Sequence, residues 1–227
     1  MPYDKVFVVN YNKHATTAIH HMFKVNDFKC YHGNNWWRHR GRDRAEKLVE
    51  RFDVLSDGSP RHDMPDSLDW LISRYPDARF ILPKRSIYTW CTSRFLHGYR
   101  MKRRRNNTID AWMWAWPASP DLTEKWTNHL IRHVSNVLAA FESCGDRLWV
   151  VDIESPEWES RIRKDFHLDT IDDKSRNVTP EVDQRVLETV HGAVIGSSKI
   201  NIHDVEIYYE DMIVKACKLH GINTNMM

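Results

Sequence analysis

Lys13, Thr16 and Thr17 stand where an apolar run, Val6-Phe7-Val8-Val9, gives way to the start of a helix. An ammonium and two hydroxyls at such a junction suit an anion of the phosphate type. A strand that feeds a turn and then a helix aims free backbone N–H groups and the positive end of the helix dipole at one point, favouring an anion before any side chain contributes. Lys13 adds a mobile point charge, and the Thr pair adds hydroxyl donors in the first helical turn. This is not a Walker A loop, which needs Gly-Lys-Ser/Thr, because Lys13 precedes Thr16 by three residues and the first glycine of the chain is Gly33. A second segment, Tyr75 to Phe95, again reads apolar strand, basic turn and helix, with Arg85 and Ser93 eight residues apart. An arginine fork binds phosphate through paired hydrogen bonds, and eight residues are about two helical turns, which puts Ser93 on a definite face.

Lys13-His14-Ala15-Thr16-Thr17 after a buried strand resembles the 5′-phosphosulfate loop of sulfotransferases that use 3′-phosphoadenosine 5′-phosphosulfate. That loop is usually written Lys-x-Gly-Thr-Thr, and Ala15 replaces its glycine. Tyr75–Phe95 resembles the family's 3′-phosphate segment, where an arginine ends the strand and a serine follows eight residues later, as Arg85 and Ser93 do. Lys125 to Glu154 is similar to the family's later helix and strand, which end in a phrase like Leu-Leu-Val-Val-Asp-Ile. Lys174 to Pro180 loosely resembles its closing phosphate-side segment and contributes Arg176. The likeness runs over about residues 5 to 180, and the remaining tail matches no pattern.

The resemblance implies a three-layer αβα fold around a central parallel sheet, of the P-loop nucleotide-binding type. It implies a transferase that moves a sulfuryl group from 3′-phosphoadenosine 5′-phosphosulfate (PAPS), a co-substrate, to a hydroxyl or amine acceptor, with no metal. Lys13, His14, Ala15, Thr16, Thr17, Arg85, Ser93 and Arg176 would hold the sulfonucleotide, and Lys13 would act on the reacting group. Three residues compete for the general base. Asp57 takes roughly the chain position of the catalytic histidine in small-molecule members and ranks first, then His32, then His62. Small-molecule members often stack adenine on a tryptophan straight after Thr-Thr; here that position is Ala18, so the platform lies elsewhere, with Trp36, Trp37 and Trp90 as candidates that the sequence does not rank.

The 227 residues fit one α/β domain, and 33 basic against 31 acidic residues exclude a polyelectrolyte binder of the whole-protein kind. No nucleic-acid partner is expected. Cys30, Cys91, Cys144 and Cys217 lack a C-x-x-C spacing and read as reduced thiols. No run reaches the roughly 18 to 20 apolar residues a bilayer requires, and a strand begins by Val6, so the expectation is a cytoplasmic protein without a membrane partner.

Apolar periodicity places strands at 5–10, 53–56 and 79–83 and helices at 16–25, 43–52, 66–75 and 87–97, with a His-, Asn- and Trp-rich loop after the first helix. A further helix reaches Phe141 and a strand follows it. Alternating strands and helices imply right-handed crossovers and a parallel sheet whose ligands sit at the carboxyl ends of its strands. About residues 98–120 read as an insertion, Lys102-Arg103-Arg104-Arg105 followed by Trp112, Trp114 and Trp116. It is either a cleft cover suited to an anionic carbohydrate acceptor or a solvated turn with packed indoles. The helical tail, about 181–227, is a cap on the domain or a homodimer surface. Two other readings stand beside the transferase: a P-loop kinase-like enzyme, and a non-catalytic polyanion-binding module.

Overall fold

The computed structural model describes residues 4–10, 13–33, 42–56, 65–104, 118–171, 183–196 and 200–223. Asp57, His62, Trp36, Trp37, Arg176 and the three tryptophans at 112, 114 and 116 lie outside them. Two compact units divide the chain: Met1–Lys84, His133–Asn177 and Ile213–Met227 form the first, and Arg85–Arg132 with Val178–Met212 the second.

The first unit is built on five parallel strands, β1 (Val6–Val8), β2 (Cys30–His32), β3 (Val54–Ser56), β4 (Arg79–Lys84) and β5 (Leu148–Asp152), in the order β2-β3-β1-β4-β5. The expected α/β class with a central parallel sheet is what the chain adopts. The expected strands are present, and β2 is an edge strand that the polar run around it concealed. Because both faces are covered, β1 and β3 are buried throughout instead of alternating.

One face is Val6 and Val8 of β1, Val54, Ile81, Trp149 and Val151. It packs on Ile19, Met22 and Phe23 of α1 (Thr16–Lys24) and on Ile162 and Phe166 further along the chain. Each fully buried side chain of that size contributes roughly 1.5–3 kcal/mol. The opposite face carries Phe7 and Phe80, stacked with ring centroids 5.2 Å apart, and Phe141 meets Phe80 edge-on at 4.8 Å. Two further helices of this unit, α2 (Arg42–Val49) and α3 (Pro65–Arg74), bear no site residue.

The chain leaves β1 toward β2 and β3 on one side, and leaves β4 toward β5 on the other. That makes the β1/β4 pair the topological switch point, where sheets of this kind hold ligands. Proline shapes the gap there. Val9 N–H donates to Ile81 O at 2.8 Å, but Pro83 has no N–H to return the next rung to Val9 O. Buried His133 Nε2 takes that carbonyl instead at 3.3 Å, and the buried Asn10 side chain donates to Pro83 O. The ladder therefore stops at Val9, with its polar groups satisfied, four residues before Lys13.

In the second unit, α4 (Ile87–Arg104) continues past the expected end at 97, through the first basic residues of the insertion. The N-terminal part of α5 (Pro120–Ala140) packs there, with Arg94 between Trp90 and Trp126, 4.9 and 4.3 Å from their ring centroids. After α6 (Trp158–Phe166) of the first unit come α7 (Gln184–Ile195) and α8 (Ile202–His220), the helices expected in the tail. Thr123 Oγ1 donates to Ala193 O at 2.9 Å, fastening α5 to α7. Among the described residues, no helix is long and apolar enough to cross a membrane.

Candidate functional site

The lysine loop has an unusual backbone. Lys13 (φ 72°) and Ala15 (φ 53°, ψ 18°) are both left-handed and flank the buried His14. Left-handed residues alternating with ordinary ones turn successive N–H groups inward to form an anion-binding concavity. Ala15 is the N-cap of α1, makes no side-chain cap, and is followed by no acidic residue in the first turn. The N-terminal amides of α1 thus meet no carboxylate from their own helix, which leaves the helix end suited to an anion. Thr16 is buried, whereas Thr17 is exposed.

Alanine in the left-handed region is strained by about 1–2 kcal/mol, and glycine there costs roughly 0.5–1 kcal/mol of extra chain entropy. Ala15→Gly is therefore expected to raise stability by about 0.5 kcal/mol, and Ala15→Val to lower it by more than about 1 kcal/mol. Urea unfolding midpoints check both.

At the carboxyl end of β2, His32 lies beside this loop. Its Nε2 is 3.2 Å from Thr17 Oγ1, and its Nδ1 is 2.8 Å from the hydroxyl of Ser56, the last residue of β3. The sequence put His32 in a loop after the first helix; the β2–β3 register, with His32 opposite Ser56, is what carries it to the strand-end edge. Ser56 escaped the sequence reading because a lone serine at a strand end carries no spacing signal. Asp57, the first-ranked base, directly follows it in the chain and lies outside the described residues, as does His62.

Cys30, two residues before His32, does not form a nucleophile with it. Burial, reinforced by Asp53, pushes its thiol up to about 12. Cys91 is likewise held near 12 and Cys217 near 11 by burial, and all four cysteines are free thiols. No group of His, Cys, Asp or Glu among the described residues could hold a metal ion.

His20 packs its ring on His32, centroids 5.2 Å apart. Burial first, then His32, Lys24 and His21, brings its pKa down from 6.5 to about 4. Between those values the unfolded chain binds more protons than the folded one, so stability falls as pH drops from about 6.5 toward 4. The shift would be worth about 3 kcal/mol in full, and solvent around this half-buried ring screens it to about 1–2 kcal/mol. Urea unfolding at pH 7 and pH 4.5 should show that loss in the natural chain, and His20→Gln should abolish it.

The second segment starts where β4 ends. Lys84, nearly buried, pairs with Asp152 of β5 at 3.0 Å, and Arg85 follows it at the head of the second unit. Ser86 caps α4 by accepting from Thr89 N–H at 3.2 Å. Arg85 Nε donates to Thr89 Oγ1, also at 3.2 Å. Arg85 stands two residues before α4 and reaches Thr89 in its first turn, Thr89 and Ser93 are four apart on one face of the helix, and the half-buried Ser93 has no side-chain hydrogen bond among the described residues. Thr89 is the residue of this set that sequence reasoning missed. The amides of Ile87 and Tyr88 are already met by Glu206 Oε2, at 2.7 and 3.4 Å. Trp90 is 1 % exposed and engaged by Arg94, which removes it as an adenine platform.

The family profile described as a sulfotransferase domain matches residues 5–161, the stretch holding both segments and His32. The chain belongs to the sulfotransferase family. The sulfotransferase from Alicyclobacillus acidocaldarius, a solved structure, is similar to this chain at 14 % identity, over 98 % of each chain, with a TM-score of 0.49. No curated protein sequence matches it. Within this sulfotransferase, the profile match ends at 161, so α7 and α8 lie beyond the matched region.

Proposed function

We propose that this sulfotransferase moves a sulfuryl group from PAPS to a hydroxyl or amine, with His32 as the general base. The observation that carries the reading is the left-handed, uncapped lysine loop whose Thr17 is hydrogen-bonded to His32. The acceptor oxygen or nitrogen bonds to sulfur while the bond from sulfur to the oxygen of the 5′-phosphate breaks. The acceptor proton goes to His32 Nε2, and 3′-phosphoadenosine 5′-phosphate departs. Transfer of this kind resembles phosphoryl transfer, with a loose transition state, so catalysis is chiefly positioning and charge stabilisation. Lys13 meets the charge growing on the bridging oxygen, and the loop amides hold the 5′-phosphosulfate. Arg85 and Ser93 recognise the 3′-phosphate. A carbohydrate is the acceptor class that the Lys102–Arg105 and tryptophan cluster suits.

Calorimetric titration with 3′-phosphoadenosine 5′-phosphate, with ATP and AMP as controls, tests the donor. Binding that requires the 3′-phosphate supports PAPS, whereas equal binding of ATP favours the kinase-like alternative. Indifference to all three, with strong salt dependence on heparin, favours the polyanion module. His32→Ala against Asp57→Asn tests the base: turnover should collapse in the first and persist in the second.

A further inference from the structure

Ser56 Oγ stands between two neighbours of different chemistry. On one side, His32 Nδ1 lies at 2.8 Å; on the other, the carbonyl of Tyr31 lies at 3.5 Å. Ser56 itself is fully buried, so its hydroxyl proton has protein partners to choose from and little water. A carbonyl accepts and never donates. With the Ser56 hydroxyl given to Tyr31 O, its oxygen accepts from His32 Nδ1–H, and Nε2 is left to accept from the Thr17 hydroxyl at 3.2 Å. This polarity uses all three contacts. The reverse polarity, with Ser56 donating to Nδ1, gives up the contact to Tyr31 and places a proton on Nε2. The ring is also restrained: His20 packs against it with the planes 45° apart.

We propose that Ser56 is a positioning residue that holds His32 as the Nδ1–H tautomer, leaving Nε2 as the basic nitrogen turned toward the lysine loop. The proposal rests on reading His32 as the base, and gives that reading its direction. A neutral imidazole in water prefers the proton on Nε2, which would leave the wrong nitrogen basic on the loop side; a buried hydroxyl accepting at Nδ1 reverses the preference. The same residue explains why a histidine on a short edge strand is usable at all, since the β2–β3 register sets His32 and Ser56 side by side.

The test begins with the natural full-length chain, labelled with nitrogen-15 and held where His32 is neutral. Two-bond proton–nitrogen spectra of the His32 ring, assigned by its loss in His32→Ala, should show a protonated Nδ1 and a bare Nε2. A proton on Nε2 overturns the proposal without any Ser56 variant having to fold. In Ser56→Ala the tautomer should shift toward Nε2–H, and kcat for sulfonucleotide hydrolysis, with water standing in as acceptor, should fall about tenfold at unchanged KM. Ser56→Thr, which keeps the hydroxyl, should recover both. In the His32→Ala background, Ser56→Ala should cost nothing more. An equal loss in both backgrounds makes Ser56 a packing residue and sinks the proposal. Should His32→Ala itself keep full turnover, the base reading fails, while the ring spectra still decide whether Ser56 sets the tautomer.

Discussion

Lys13→Ala is expected to lower kcat for release of 3′-phosphoadenosine 5′-phosphate by about 10²–10³-fold, with stability changed by less than about 0.5 kcal/mol. The size follows from what remains when the ammonium is gone. The left-handed residues at Lys13 and Ala15 and the uncapped start of α1 persist, because alanine at position 13 meets the same backbone restriction as lysine. The nucleotide's 5′ end should thus still bind, through amides and helix dipole. On the proposed mechanism the variant would lose the charge facing the bridging oxygen, where negative charge builds only as the sulfur–oxygen bond breaks, so the loss should fall on kcat and spare KM. Lys13→Arg should recover only part of it, since a planar fork cannot replace a compact point charge at the same spot. Steady-state kinetics with urea unfolding on the same preparations checks the split. A rise in KM at constant kcat would reduce Lys13 to a ground-state anchor.

Much of the backbone that carries this candidate site was legible in the sequence, because its signals are local. A strand, a lysine and a Thr pair within a dozen residues, and an arginine and serine eight apart, report on a single loop or helix each, and those elements formed where the spacing put them. The missing parts are those that arise only from pairing. β2 is three half-buried residues, Cys30–His32, too short to show a period; it exists because β3 offers it an edge. Ser56, Asn10 and His133 matter through contacts with residues 24, 73 and 124 positions away, and no window along the chain sees them. Trp90 misled for the opposite reason: its type suggested stacking on a base, but a tryptophan that faces a helix interior is claimed by the core, here by Arg94 and Trp126. Ala15 was legible as a departure from glycine, though the sequence alone could not say that the chain would still accept the left-handed turn.

Arg85→Ala should weaken binding of 3′-phosphoadenosine 5′-phosphate about 10–100-fold and leave AMP, which lacks the 3′-phosphate, unaffected. The two phosphate segments differ in how they would hold their anions, and that difference sets the magnitude. In the lysine loop the backbone would do most of the holding. At α4 the first amides, those of Ile87 and Tyr88, are spent on Glu206, so the anion must be met by side chains. Removing the guanidinium therefore leaves no comparable backbone site behind. Thr89 fixes the fork by taking Arg85 Nε–H, so Thr89→Val should weaken binding in the same direction but less, by losing orientation and not charge. Arg85→Lys should behave nearer to alanine than to arginine, because a point charge cannot make the paired hydrogen bonds. Ser93→Ala should be non-additive with Arg85→Ala if both contact one phosphate, and additive if they do not. Calorimetry on these four variants and the Arg85→Ala/Ser93→Ala double variant, with both nucleotides, separates these outcomes. An equal loss for AMP would mean that Arg85 supports the unit's structure or the 5′ end, and the assignment of this helix face to the 3′-phosphate would fall.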